Sequence, residues 1–319
     1  MHIILITPAT PRSRSGNRNT AVRWGKMLQE LGHQVEIAVG WDGRHADLML
    51  ALHARKSYAS IKAYKLAHPH QPLILALTGT DLYRDIRTDP NAQEAMRLAD
   101  RMIVLQDQGP NELAPALREK TRVIYQSAPF IKLVPPLKTR FEICVIGHLR
   151  EEKDPFRTAL ALPHLPQDSR IHVVQIGQAM SRDMETEAKK IMAHQPRYRW
   201  LGEVPHSTAQ ARLARSRLMV ISSRMEGGAN VVSEALAAGV PVIASHIPGN
   251  IGMMGKNYAG YYPLENERAL ATLIHRAETD AAFFARLKKQ CAARAVRVKR
   301  ETEVSALKKL LMHLIPFLN

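Results

Sequence analysis

Glu226 and Glu234 are separated by seven residues, and the stretch they bracket, EGGANVVSE, carries two glycines and an asparagine. Carboxylates are good acceptors for sugar and ribose hydroxyls. Leu218 to Ser223 is an apolar run long enough for one buried strand, which Gly227 and Gly228 break. Asn230 stands where a helix N-cap belongs, and Val231 to Ala238 reads as a short helix. Gly239 ends it, Pro241 prevents its continuation, and Pro241 to Ser245 is the next buried strand. Glycines at a strand-to-helix turn let a ligand approach the backbone, and a helix N-terminus offers N–H groups to a phosphate. Glu226 leaves this turn, and Glu234 lies about one helical turn in, on the face directed back at the same crevice. Phosphates on backbone N–H groups with hydroxyls on glutamate would suit a nucleotide sugar. The same spacing also fits a solvated Glu226 and a Glu234 on an exposed helix face.

Three other stretches gather polar and basic groups. RSRSGNRNT holds Arg12, Arg14 and Arg18 around Gly16, with Asn17 and Thr20 able to cap the helix that follows. Arginines beside a helix N-terminus make an anion site, although a flexible basic loop would read the same way. ALHARKS carries His53, Arg55, Lys56 and Ser57, and TGTDLY carries Thr78, Thr80 and Asp81. Gln126 and Ser127 are weaker candidates. A histidine alone is more often structural; Arg55 and Lys56 beside His53 favour function.

The elements that must position these groups alternate between strand and helix. Strands are expected at His2 to Thr7, Gln34 to Val39, Leu48 to Leu52, Leu73 to Leu77, Met102 to Leu105 and Arg122 to Tyr125. Helices are expected at Thr20 to Leu31, Ser57 to Ala67 and Pro90 to Leu98. A second series runs through Ile143 to Ile146, Ile171 to Ile176, Arg199 to Leu201, Leu218 to Ser222 and Val240 to Ala244. Alternation of this kind predicts α/β domains with doubly wound parallel sheets, in which ligands bind beyond the carboxyl ends of the strands. The polar stretches above follow strands. Between the two series, PFIKLVPPLKTR (129–140) is the expected linker, because Pro135-Pro136 resists helix and strand alike. The expected domains are 1–135, joined by a C-terminal helix within 300–319, and 136–299; that helix is expected over Thr302 to Ile315.

Composition narrows the function classes. With 319 residues and 45% hydrophobic content, two cores are expected. The aromatic content of 5% argues against a nucleic-acid binder that stacks bases. The two cysteines, Cys144 and Cys291, are far apart, which predicts a reducing, cytoplasmic setting without a disulfide framework. No C-x-x-C, H-E-x-x-H or Asp-x-Asp occurs, so no metal site and no cofactor is expected. The N-terminus is apolar first and basic later, unlike a secretory signal, and no run of about 18 apolar residues predicts a membrane span. The net charge of +16 fits a nucleic acid, an anionic membrane surface or small polyanionic substrates.

EGGANVVSEALAAGVPVIAS resembles the Glu-x7-Glu signature of the GT-B glycosyltransferases of family 4. GNRNTAVRW (16–24), ALHARKS (51–57), TGTDLYRDI (78–86), GHLREEKDP (147–155) and IPGNIGMMG (247–255) together resemble the selenosugar synthases of selenoneine biosynthesis. The resemblance implies the GT-B fold: two Rossmann-like domains facing a central crevice, with the donor nucleotide on the second and the acceptor on the first. It implies donor contacts from Gly147, His148, Arg150, Lys153, Glu226, Gly227, Gly228, Ala229, Asn230 and Glu234, the last on the ribose, with the uracil near Leu201 to Val204. It implies acceptor contacts from Gly16, Asn17, Arg18, Thr20, His53, Arg55, Lys56, Thr80 and Asp81. His53, Arg150, Lys153 and Glu226 form the implied catalytic set. Family 4 enzymes usually carry Arg just after this glycine; here His148 stands there and Arg150 is the substitute. Fixed Arg and Lys charges would stabilise a departing nucleoside diphosphate without a metal. The turn 150–154, REEKD, could equally be a charged, solvated one.

The implied reaction moves a sugar from UDP-glucose or UDP-N-acetylglucosamine to selenophosphate, giving a 1-seleno sugar. The implied partners are those two small molecules, with functional coupling to a selenophosphate-producing enzyme and with neither nucleic acid nor integral membrane association. The alternatives are a family 4 transferase with an alcohol or lipid acceptor and, from another class, a basic nucleic-acid binder.

Overall fold

In a computed structural model, residues 1–13, 15–132, 134–312 and 314 are described. Arg14 of the basic loop, Leu133 of the expected linker, and His313 and Ile315 of the last helix lie outside the described residues. The chain divides into two compact units, Met1–Gln126 with the residues from Arg300 on, and Ser127–Lys299.

The first unit is built on six parallel strands: β1 (His2–Ile6), β2 (Gln34–Ala38), β3 (Leu48–Leu52), β4 (Leu73–Leu77), β5 (Arg101–Val104) and β6 (Thr121–Val123), in the order β2-β1-β3-β4-β5-β6. LMLAL and LILAL, the sequences of β3 and β4, are buried at every position, as a parallel sheet covered on both faces requires. Register pairs Ile3 with Leu48 and Leu50 with Ile74. The order reverses between β1 and β3, so the loops after these two strands flank the switch point at which such sheets bind ligands. Those loops carry the 12–20 stretch and His53 to Ser57.

The second unit repeats the plan with β7 (Phe141–Ile146), β8 (Ile171–Ile176), β9 (Tyr198–Trp200), β10 (Leu218–Ile221), β11 (Val242–Ser245) and β12 (Tyr261–Tyr262), in the order β12-β11-β10-β7-β8-β9. Its switch point lies between β7 and β10, the strands followed by Gly147 and by Ser222 to Glu226.

Several boundaries differ from those expected. The first helix starts at Gly16, not Thr20, because the extended backbone of Ser15 ends the loop and the Thr20 hydroxyl donates to the Gly16 carbonyl at 2.9 Å. Asn17 and Thr20 are therefore inside the first turns and cap nothing. Likewise, Ala229 is the N-cap of the helix Asn230–Ala237, and Asn230 is its first residue. Pro241 precedes β11, its carbonyl accepting from the Met219 N–H at 2.9 Å. The unit boundary falls after Gln126, ahead of 135, since the linker is attached to the second unit. There the Ala128 N–H donates to the Val298 carbonyl at 3.1 Å, the Val134 N–H donates to the Ala214 carbonyl at 3.3 Å, and Ile131 is buried.

The last helix, Arg300–Met312, packs on the first unit. Leu307, Leu310 and Leu311 join Ile3, Trp24 and Leu28 in one core cluster. Glu303, only 1% exposed, accepts from the Trp24 indole N–H at 2.6 Å and pairs with Arg23 at 3.1 Å. A carboxylate that deep is tolerable because such contacts satisfy it.

Candidate functional site

In the second unit, the chain leaving β7 and the chain leaving β10 meet. Gly177, with φ of 148°, lies against the turn after β7: a Cβ there would fall 2.0 Å from the Gly147 carbonyl oxygen. Only glycine permits this approach. The turn 150–154 is not a loosely solvated one. The Ser222 hydroxyl donates to the Asp154 and Lys153 carbonyls at 2.8 and 3.1 Å, and the Arg224 N–H donates to the Glu152 carbonyl at 2.9 Å. Asp154 takes up a left-handed conformation there, with φ of 42°.

These bonds bring Lys153 to Glu226. The Lys153 ammonium donates to Glu226 Oε1 at 2.5 Å, and the Ser223 hydroxyl donates to the same oxygen at 2.5 Å. Glu226 is buried and does not project from the turn into solvent. Its backbone is held from the other side by the helix Pro248–Met254, for a Cβ on Gly249 would lie 1.9 Å from the Glu226 carbonyl oxygen. A chain of buried groups supports the arrangement. Asn250 Nδ2 donates to Ser245 Oγ at 3.0 Å, and Ser245 Oγ donates to the Ser223 carbonyl at 2.6 Å. Gly147, Lys153, Gln175, Ser222, Ser223 and Glu226 line a small depression at this point. Gly227 and Ala229 are buried, whereas Gly228 and Asn230 are half-buried.

Arg150 is exposed at the start of the turn Glu151–Lys153. His148 is half-buried, and its Nδ1 accepts from the Gln178 N–H at 3.2 Å. Burial pushes the imidazole below its ordinary pKa; Glu203 opposes the shift, and Arg150 and Lys153 add to it. Glu234 is not on an open helix face. Its side chain is 13% exposed, and its Oε1 accepts from His206 Nε2 at 2.8 Å. That hydrogen bond holds His206 above the ordinary histidine value against the effect of burial.

In the first unit, His53 follows β3 with φ of 74° and is 3% exposed. A left-handed conformation at a non-glycine residue costs roughly 1–3 kcal/mol, so the surrounding structure must impose it. Its Nε2 lies 3.3 Å from the Thr80 hydroxyl and 3.8 Å from Asp85 Oδ2; its Nδ1 lies 3.9 Å from Asp81 Oδ2. Burial lowers the His53 pKa, with Asp81 and Asp85 acting in the opposite direction. Asp85 also accepts from Arg55 Nε at 2.9 Å and Arg84 Nε at 3.1 Å. Burial alone would raise Asp85, but these two guanidiniums outweigh it and hold the carboxyl below its ordinary range. Arg55 and Lys56 are exposed.

Two of the expected acceptor groups are engaged within the fold. Asp81 is fully buried and accepts the N–H groups of Ala54, Thr78 and Gly79 at 3.0, 3.0 and 2.8 Å, joining the loops after β3 and β4. Thr20 is buried and accepts from Gln126 Nε2 at 2.5 Å. Gly16 is exposed, and Asn17 and Arg18 are half-buried on the first turn of the helix Gly16–Glu30. Residues that sequence reasoning passed over are Asp85, which gathers His53 and Arg55, and His206, Ser223, Ser245 and Asn250, which fix the two glutamates. Among the described residues, no group of three or more His, Cys, Asp or Glu could hold a metal ion, and no helix is long and apolar enough to cross a membrane.

Comparison with known proteins places this geometry. The chain is similar to the putative teichuronic acid biosynthesis glycosyltransferase TuaC of Bacillus subtilis (strain 168), 32% identical over 143 residues, which make up 45% of this chain and 34% of TuaC. The matched stretch thus spans about a third of that relative. Among solved structures, Anabaena HepE in complex with UDP and glucose superposes with a TM-score of 0.75 at 16% identity, covering 99% of each chain. A sucrose-phosphate synthase from Thermosynechococcus elongatus superposes with a TM-score of 0.79 at 17% identity, also over 99% of each chain. With two doubly wound parallel sheets, the fold is GT-B. The family model for glycosyl transferases group 1 matches residues 130–295, just over half of the chain, and the chain belongs to that family.

Proposed function

We propose that this protein is a glycosyltransferase that moves a sugar from a UDP-sugar, UDP-glucose or UDP-N-acetylglucosamine, to selenophosphate without a metal ion. The observation that carries the donor half is the convergence of Lys153 on Glu226 at the switch point of the second unit, with Glu234 on the helix that follows. Lys153 and Arg150 supply positive charge where a diphosphate leaves. Glu234 takes the ribose hydroxyls, and Glu226, Gly227, Gly228, Ala229 and Asn230 form the turn around the sugar and phosphates. HepE, of the same fold, was solved with UDP-glucose, which supports this choice of donor.

The acceptor half rests on the resemblance of the blocks at 16–24, 51–57 and 78–86 to selenosugar synthases, and on the basic groups they carry. His53, Arg55, Lys56, Arg18 and Thr80 are the proposed acceptor contacts. Selenium attacks the anomeric carbon, the bond from that carbon to the UDP oxygen breaks, and UDP leaves with the electron pair. No proton has to be removed, whereas an alcohol acceptor would need a general base. Water then attacks phosphorus and cleaves the P–Se bond, giving phosphate and a 1-seleno sugar for selenoneine biosynthesis. Positioning and fixed charge carry most of the catalysis. An enzyme that makes selenophosphate would supply the acceptor in the cytoplasm. UDP release from each UDP-sugar, measured with selenophosphate, thiophosphate, phosphate and simple alcohols in turn, tests the reading. Release that requires selenophosphate supports it; release that requires an alcohol contradicts it.

A further inference from the structure

His206 opens the helix His206–Arg215, five residues after Leu201, and no motif singles it out. Its side chain is 63% exposed, that of Glu234 13%, and the two meet at 2.8 Å. The half-buried carboxylate and the exposed imidazole come from two different helices that pack on each other. We propose that His206 is a positioning residue for the nucleotide: it fixes Glu234 so that its second oxygen meets the ribose diol, and it makes donor affinity depend on pH. This rests on the reading of Glu234 as the ribose acceptor.

A carboxylate offers acceptor sites on both oxygens. His206 occupies Oε1, and Oε2 has acceptor sites for hydroxyls. A glutamate already held in one rotamer binds with a smaller ordering cost than one that must be immobilised. Protonated, His206 also adds a positive charge near an anionic ligand. The helix of His206 packs against the helix Asn230–Ala237 and against β7. On the first of these, Glu234 is the titratable group. On β7 there are Glu142, ringed by Arg140, Arg212 and Arg215 at 3.1, 3.8 and 3.9 Å, and Cys144, whose thiol burial pushes up to about 12. Arg212 and Arg215 lie on the helix of His206 itself, and Glu203 lies three residues before it. Glu234 is the partner that raises the His206 pKa, chiefly through the hydrogen bond, so the pair tightens on the acid side of that value.

The test is calorimetry of UDP-glucose, whose diphosphate keeps its charge across neutrality, over about pH 5.5 to 8.5, a range that brackets the ordinary histidine value. His148 titrates lower in the same unit, so each variant is compared with wild type rather than read alone. Wild-type affinity is expected to fall as pH rises through the His206 transition. His206→Ala is expected to bind about tenfold more weakly at the acid end. His206→Gln, which keeps a donor but not the charge, is expected to restore most of the affinity with a flatter pH profile. If both variants match wild type at every pH while Glu234→Ala binds more weakly, the His206 proposal alone is overturned. If Glu234→Ala binds as wild type, the donor reading falls and takes this proposal with it.

Discussion

Lys153 and Glu226 form an ion pair at 2.5 Å, across 73 residues of sequence, with Glu226 almost fully buried. The pair joins the turn after β7 to the turn after β10. Removing either member leaves the other poorly matched to its surroundings, and removing Lys153 leaves Glu226 with the Ser223 hydroxyl as its remaining side-chain donor among the described residues.

Lys153→Ala is therefore expected to cost stability as well as turnover. Breaking a buried pair costs about 3–5 kcal/mol, and with the Lys153 side chain 21% exposed the lower end applies. Urea denaturation of Lys153→Ala, Glu226→Gln and the double variant checks this. The double variant should be less destabilised than the two single losses added together. Strict additivity would show that the pair is not coupled. Turnover of the wild-type protein should survive EDTA.

Gly249→Ala is expected to disturb the same turn from behind, since its Cβ would overlap the Glu226 carbonyl. Overpacking of this kind costs about 1–3 kcal/mol or more. Thermal unfolding and UDP binding should both deteriorate. An unchanged Tm would mean that the helix Pro248–Met254 does not rest on Glu226.

Glu303→Ala removes the carboxylate that holds Trp24 and Arg23 in the first unit. With the Glu303 side chain fully buried but Arg23 20% exposed, a loss at the lower end of about 3–5 kcal/mol is expected. Circular dichroism during urea unfolding reports it. A variant as stable as wild type would show that Glu303 does not help to hold the last helix on that unit.

His53 should make the fold acid-sensitive. Its folded-state pKa lies below that of the unfolded chain because burial disfavours the cation. Both forms are neutral well above the unfolded value, so the penalty is absent there. It grows as pH falls through the ordinary histidine value toward the lowered one. The urea midpoint of wild type should drop more steeply on acidification than that of His53→Gln. Parallel pH profiles would show that His53 titrates normally.

Continuous apolar runs made the parallel strands legible. Leu48 to Leu52, Leu73 to Leu77 and Ile171 to Ile176 are strands with the expected bounds; the first two are apolar and buried at every position, and the third is apolar at both ends. The start of the first helix was not legible. Residues 16–19, GNRN, are polar, so hydrophobic periodicity could begin only at Thr20. Lys153, Glu226 and Glu234 stood out by spacing and resemblance, but the groups that fix them did not. Ser223, Ser245 and Asn250 act through hydrogen bonds between distant segments, which no local pattern encodes. His206 is a lone histidine at a helix start, and Asp85 closes a π-helical turn, Asp81–Asp85, that has no sequence signature. Asp81 was expected among the acceptor contacts from its place after a strand and from the resemblance, and the three backbone N–H groups that bond to it come from two loops that no local pattern joins.

The proposed reaction is transfer of a sugar from a UDP-sugar to selenium. Mass spectrometry of the products from UDP-glucose and UDP-N-acetylglucosamine, incubated anaerobically with selenophosphate and the protein, tests it most directly. The expected products are UDP, phosphate and a 1-seleno sugar carrying the selenium isotope pattern, all lost in Lys153→Ala. Intact selenophosphate beside a glycosylated alcohol, or no consumption of either UDP-sugar, would contradict it.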